Sequence, residues 1–276
     1  MAEVLHPGLG NIIYIYEILK KYSDNEHILS VTQISNLIKQ EYQRSVEERT
    51  IKRNIRVLVE VLDIDISLFT ENRKGYFLRT RDFEMSEIKM LIDLVTYSKF
   101  MENNFSKDIV DRLKQMLSKY EKEIVDNIEN YELYSKNTKT INIEVLRNIE
   151  VLAQSIKAKK KVEFDYYKYN LDKKLEKQIK HRVSPYAILC ENEFYYLIAH
   201  NERYDDYSFF RLDRIKNVKH TDIPIKKQKQ SIKDYVESSV YMYGGEREEV
   251  ELKCHISVID HIIDKFGKDT KIRENR

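Results

Sequence analysis

Residues 45–62 read SVEERTIKRNIRVLVEVL, and this stretch decides how the N-terminal part of the 276-residue chain is understood. At about 100° per residue, Ile51, Ile55, Leu58 and Leu62 fall within one narrow arc of a helix, while Arg49, Lys52, Arg53 and Arg56 gather on the opposite side. One face packs and the other is cationic. Ser45 and Glu48 stand at the spacing of a capping box, in which hydroxyl and carboxylate each satisfy an orphan amide, so the helix is expected to begin at Ser45. Such a helix, preceded by a short helix and a tight turn, has the geometry that lays side chains into the major groove of DNA. There Arg and Lys meet phosphates or guanine edges. Arg49, Thr50, Lys52, Arg53 and Arg56 are the candidate contacts.

The flanking sequence supports that reading. Ile12, Ile15, Tyr16 and Leu19 recur at helical spacing over residues 11–22, with Asn11 near the N-cap. A second helix is capped by Thr32, carries Ile34, Leu37 and Ile38 inward, and ends in the polar run Gln43 to Ser45. Downstream, Ile64, Ile66, Leu68 and Tyr76, Phe77, Leu78 flank Glu71-Asn72-Arg73-Lys74-Gly75, which holds the sole glycine between Gly10 and Gly244. This reads as a β-hairpin. Three helices followed by a hairpin make a winged helix-turn-helix over residues 8–81. Arg73 and Lys74 sit at the hairpin tip, with the charge to meet the sugar-phosphate backbone.

Composition narrows the remaining possibilities. Charged residues make up 34% and hydrophobic residues 42%, the balance of a soluble globular protein with a heavily ionised surface. No apolar run approaches the roughly 18 residues of a spanning helix. The opening MAEVLHPGLG lacks the basic start and apolar stretch of a signal peptide, so a cytoplasmic protein with no membrane partner is expected. Only six glycines occur, and none of GxGxxG, GxxxxGK[ST] or GxSxG is present, which removes the commonest nucleotide-dependent and hydrolytic enzymes. Cys190 and Cys254 are too few for a disulfide framework or a zinc cluster, and His255 and His261 lack metal-ligand spacing. No paired carboxylates or Cys–His couple suggest chemistry, so no catalysis, cofactor or metal is expected.

The net charge of +2 hides an uneven distribution. Residues 82–132 carry twelve Asp or Glu against seven Lys or Arg, whereas residues 157–180 carry nine Lys against four acids. The acidic part, a connector over 82–141, reads as two amphipathic helices. One is capped by Ser86 and bears Ile88, Leu91, Ile92 and Val95; the other bears Ile109, Val110, Leu113, Leu117 and Ile124, and the two join at Glu102 to Phe105. Its charge argues against contact with nucleic acid. Two uses stay open for its apolar stripes: docking onto a second copy in a homodimer, which paired operator half-sites require, or burial against the chain itself.

From Asn142 a further helix carries Leu146, Ile149, Leu152, Ala153 and Ile156 inward, and then the period changes to two. Val162, Phe164 and Tyr166 alternate with Lys161, Glu163 and Asp165, followed by a polar turn at Asn170 to Lys174. Further strands run through Ile179 to Cys190, Glu193 to His200 and Tyr207 to Leu212. Short aromatic-rich antiparallel strands at this spacing suggest a small barrel over 142–222.

Three runs here resemble a known family: His181-Arg182-Val183-Ser184-Pro185-Tyr186, Phe194-Tyr195-Tyr196-Leu197-Ile198-Ala199-His200, and Phe209-Phe210-Arg211-Leu212-Asp213-Arg214-Ile215. They are similar to the WYL domain of bacterial transcription regulators, with Tyr195-Tyr196-Leu197 in the place of the Trp-Tyr-Leu triplet. The family joins a winged helix-turn-helix, a helical connector, this domain and a C-terminal extension in that order. The resemblance implies an Sm-like antiparallel β-barrel that senses a nucleotide or single-stranded nucleic-acid effector. Ser184, Tyr196, His200, Arg211 and Arg214 are its pocket candidates, since guanidinium forks grip phosphate and Tyr or His offer stacking planes and donors. It also marks Arg49 to Asn54 as the recognition-helix region, where Asn54 replaces the family's common Asp.

The last part, 223–276, reads as a basic mobile linker with Lys226, Lys227, Lys229 and Lys233, then a strand bearing Val250, Leu252, Cys254, Ile256 and Val258, then a helix from Ile259 to Phe266 closed by Gly267. Cys254 falls on the apolar side of that strand as a small buried hydrophobe. This matches the opening half of the family's extension, a partial α/β C-terminal unit. The whole is thus expected to be an α+β multidomain regulator that binds double-stranded operator DNA and responds to a ligand. The alternative is a DNA-binding protein whose barrel serves only as a nucleic-acid clamp or assembly surface.

Overall fold

The computed structural model describes residues 10–128, 139–227, 231–237 and 251–273. The chain divides into two compact units, one through Lys227 and one from Gln228. Residues 8 and 9 of the first expected module, residues 129–138 of the connector, and Lys229 and Val250 of the tail lie outside the described residues.

Helices α1 (Asn11–Tyr22), α2 (Val31–Tyr42) and α3 (Glu48–Glu60) enclose a core of Ile15, Ile18, Leu19, Ile34, Ile38, Ile51, Ile55 and Leu58. The caps differ from expectation. Ser30 rather than Thr32 caps α2: its Oγ accepts from the Gln33 amide at 3.2 Å, and Gln33 Oε1 accepts from the Ser30 amide at 2.8 Å. The Thr32 hydroxyl instead donates to Glu48 Oε1 at 2.7 Å, which draws Glu48 away from Ser45, so α3 begins at Glu48 with no side-chain cap. Helix α3 also stops at Glu60, leaving Leu62 beyond its last turn and exposed rather than buried.

Strands β1 (Ile66–Ser67) and β2 (Phe77–Leu78) pair antiparallel, and a Leu29–Tyr76 bridge adds a third edge. The expected plain turn between them is instead a one-turn helix, α4 (Phe69–Asn72). Asn72 accounts for it. Its Nδ2 donates to Ser67 Oγ and the Gly75 carbonyl, both at 3.0 Å, while its Oδ1 accepts from the Lys74 and Gly75 amides at 2.6 and 2.9 Å. Such side-chain bonds to nearby backbone compete with a strand ladder. A Cβ on Gly75 would stand 2.2 Å from the Leu29 carbonyl oxygen, so the bridge needs glycine there.

The connector forms α5 (Met85–Tyr97), α6 (Asn103–Lys114) and α7 (Lys119–Ile128) around Ile88, Ile92, Val110, Leu117 and Val125. Glu84, not Ser86, caps α5. The expected long second helix is broken in two because Ser118 exchanges hydrogen bonds with Glu121 and starts a new helix. The α1 end is fastened to α7. The Arg81 guanidinium donates to the carbonyls of Lys20 and Ser23 at 2.8 and 2.7 Å and lies 3.6 Å from the Glu121 carboxylate. His27 stacks on Tyr120 with ring centroids 3.4 Å apart, and Ser118 Oγ donates to Asp24 at 3.2 Å. Burial would raise the Asp24 carboxyl, but hydrogen bonds from His27 and Glu26 overcome it and hold the group below its ordinary value.

Helix α8 (Val145–Ala158) covers one face of a five-stranded antiparallel sheet: β3 (Lys160–Tyr169), β4 (Leu175–Glu191), β5 (Phe194–Asn201), β6 (Asp206–Arg211) and β7 (Ile215–Pro224), in the order β6-β5-β4-β3-β7. Val162, Phe164, Tyr166, Val183, Leu197, Ala199 and Phe210 share its core with Leu152. The expected barrel is not closed. Strands β6 and β7 are the two edges, linked by a 3-10 turn over Leu212–Arg214 and not laddered to each other. Strand β4 ladders first with β3 and then with β5, and Val183 pairs with both Val162 and Asn201. Register shifts at Asp165/Tyr167 and Pro185/Ala187 mark the bulges that curl the sheet.

In the second unit, α9 (Ile232–Glu237) carries Lys233, and residues 251–255 form no strand. The alternating pattern has no partner strand among the described residues, and Cys254 is exposed rather than buried. The expected helix does form, α10 (Ile259–Phe266), and ends at Gly267 with φ of 86°. No helix among the described residues is long and apolar enough to cross a membrane.

Candidate nucleic-acid interface and ligand face

The buried side of α3 fixes what its other side presents. With Ile51, Ile55 and Leu58 in the core, Arg49, Lys52, Arg53 and Arg56 are all exposed, and none takes part in an ion pair among the described residues. Thr50 is half-buried at the margin of this face, and Asn54 beside it has a buried Nδ2 without a partner. Arg73 and Lys74 are exposed on the β1–β2 connection, where Arg73 takes the left-handed φ of 59° that ends α4. Tyr76 joins the two elements: burial pushes its phenol up, and the nearby Arg56 charge opposes that. Acids close to this connection are already engaged, since Arg79 bonds Asp65 at 3.0 Å and Glu71 at 2.6 Å.

The five candidates on the sheet divide into separate groups. Ser184 lies directly opposite His200 on β4 and β5, and Tyr196 lies directly opposite Arg211 on β5 and β6. Their strand neighbours Val183, Leu197, Ala199 and Phe210 share the core with Leu152 of α8, so by alternation all four candidates stand on the other face of their strands. Tyr196 and His200 stand four positions apart on β5, a span of about 13 Å. At the first pair, the Ser184 hydroxyl accepts from the Lys226 amide at 3.0 Å, and His200 Nε2 lies 3.1 Å from Asp205 Oδ1 while its buried Nδ1 has no partner. The Lys226 ammonium also sits on Asp205, and the Tyr186 hydroxyl donates to the Lys226 carbonyl at 2.7 Å. Lys226 is therefore part of the folded sheet module, not of a mobile linker.

At the second pair, the Arg211 guanidinium lies 3.5 Å from the Phe194 ring centroid, and its Nε and Nη2 donate to both Asp213 oxygens at 3.0 and 2.7 Å. Burial weighs against its charge, and Asp213 outweighs that, raising the guanidinium above its ordinary value. Arg214 is further away, on the 3-10 turn. Its Nε is buried without a partner, and its guanidinium carbon lies 5.9 Å from the Tyr169 ring. The residues that sequence reasoning missed are Tyr186, Asp205 and Lys226 at one end and Phe194 at the other. Asp213 was visible beside Arg211, but its choice of partner was not.

Residues 147–220, from α8 into β7, match the WYL domain family, so the chain contains a WYL domain. No curated protein matches the chain. Among solved structures, the proteasome accessory factor B/C (PafBC) of Arthrobacter aurescens aligns over 82% of this chain at 10% identity with a TM-score of 0.27. The chain spans 37% of that protein's length.

Proposed function

We propose that this chain is a ligand-responsive transcription regulator whose N-terminal module is a winged helix-turn-helix that binds operator DNA. The observation that carries the reading is the outer face of α3, where four cations stand exposed and, among the described residues, without an ion-pair partner, opposite a packed stripe. A helix built this way enters the major groove without first breaking any contact of its own. Arg49, Thr50, Lys52, Arg53 and Arg56 contact the duplex, and Arg73 and Lys74 add phosphate contacts from the wing. The WYL domain senses a nucleotide or nucleic-acid effector: Arg211 on Phe194 and Arg214 near Tyr169 combine a cation with an aromatic plane, the pairing that suits phosphate next to a base. Effector binding favours one arrangement of the connector and so changes operator affinity. Met90 and Leu94 on α5 and Ile124 and Ile128 on α7 are exposed, which suits a homodimer docked through the connector.

Titration of a labelled genomic duplex over a range of salt tests the first part. The slope of log K against log salt should correspond to several phosphate contacts and lose about 0.9 for each contacting cation removed. A second reading, in which the sheet module only clamps nucleic acid, draws on the engagement of Arg211 by Asp213. In that case Arg211→Ala and Arg214→Ala weaken duplex binding directly and no ligand response exists to lose.

A further inference from the structure

Lys226 meets three groups at the Ser184 end of the ligand face at once. Its amide N–H is held by the Ser184 hydroxyl, its carbonyl by the Tyr186 hydroxyl, and its ammonium by Asp205. The preceding residue is fixed as well, with the Ile225 amide donating to the Lys159 carbonyl at 3.1 Å. Tyr186 and Tyr207, with ring centroids 5.6 Å apart, and buried His200 form the rest of this end. Lys226 thus fills the Ser184 acceptor and the Tyr186 donor, which would otherwise be available to a ligand, and shares the Asp205 carboxylate with His200. It leaves His200 Nδ1 buried and unsatisfied, a group that a different occupant could bond.

We infer that Ile225–Lys227 is a strap that closes the Ser184 end of the proposed ligand face, and that effector binding displaces Lys226 from it. The inference rests on the ligand-face reading above and adds its regulation. The main-chain N–H and C=O that the strap offers to Ser184 and Tyr186 define the competitor: a group with an adjacent N–H and C=O, which is the pattern of a nucleobase edge.

Lys226→Ala removes the ammonium, and Lys226→Pro removes the ammonium and the amide donor together. Both leave every proposed ligand contact in place. The probe is a fluorescently labelled single-stranded oligonucleotide, tested as DNA and as RNA against the full chain. Deleting a cation that merely attracts the probe weakens binding, whereas deleting the strap's hold tightens it. The expected result is a gain of about three- to tenfold in affinity, larger for Lys226→Pro, matching the loss of one or two hydrogen bonds. In wild-type protein, saturating probe should also speed hydrogen exchange of the peptide covering residues 225–227. If the probe binds but neither variant tightens it, or exchange does not speed up, the strap is overturned and the ligand face stands. If the probe binds none of the three proteins, the ligand-face reading fails and the strap falls with it.

Discussion

The outer face of α3 and the outer face of β5 and β6 both carry candidate contacts for nucleic acid, yet they are built in opposite ways. On α3 the cations have no ion-pair partners among the described residues, and Glu48, at the start of the helix, is tied to Thr32. On the sheet nearly every polar group already has an internal partner: Arg211 holds Asp213, Ser184 holds Lys226, and Asp205 holds both His200 and Lys226. An incoming polyanion meets the first surface at the cost of side-chain order alone. At the second it must exchange one set of contacts for another. The first design suits tight, salt-sensitive attachment, and the second suits a response that depends on which ligand arrives.

The sharpest test removes the open surface. Replacing Arg49, Lys52, Arg53 and Arg56 together by Ala should weaken duplex binding by about 100- to 1000-fold in moderate salt, read by fluorescence anisotropy, with unchanged helical content by circular dichroism. Retained affinity in that variant would erase the contrast between the two faces. Next in size is Gly75→Ala. The new methyl meets the Leu29 carbonyl, so unfolding free energy should fall by about 2–3 kcal/mol in urea titration, and Arg73 and Lys74 should lose their placement. Asp213→Asn makes the closed surface more like the open one. It should cost about 1–2 kcal/mol of stability while raising affinity for a single-stranded oligonucleotide, because Arg211 is released.

The smallest effect concerns pH. His181 is half-buried against Phe164, Tyr166 and Phe210, and burial, aided by Arg203 and Lys168, lowers its pKa below the ordinary 6.5. The unfolded chain then takes up a proton that the folded one resists. Stability from this residue is full above the ordinary value and declines as pH falls through it toward the lowered one. Thermal melts should show Tm falling by a few degrees at most from pH 7 to pH 5, with the decline reduced in His181→Phe.

What could be read in the sequence followed from local periodicity. Ile51, Ile55 and Leu58 repeat at helical spacing and Val162, Phe164 and Tyr166 at strand spacing, and both sets lie in cores. Features set by distant partners were not legible. Strand β7 escaped notice because Ile215 and Val218 are three apart, around Asn217 at φ of 56°, so no alternation shows. The alternating run beyond residue 250 misled in the opposite sense, having a strand pattern with no strand beside it among the described residues. At the candidate ligand face, the family resemblance pointed to Ser184, His200 and Arg211, but nothing local told that Lys226, 42 residues beyond Ser184, would come back to lie on it.

The Arg81 joint has a mechanical consequence. It grips the last turn of α1 by two main-chain carbonyls and abuts α7 through Glu121, while α1 shares its core with α3. On the proposed reading, Arg81 gives the connector a directly bonded path through α1 to α3, along which a rearrangement of α7 reaches the cationic face.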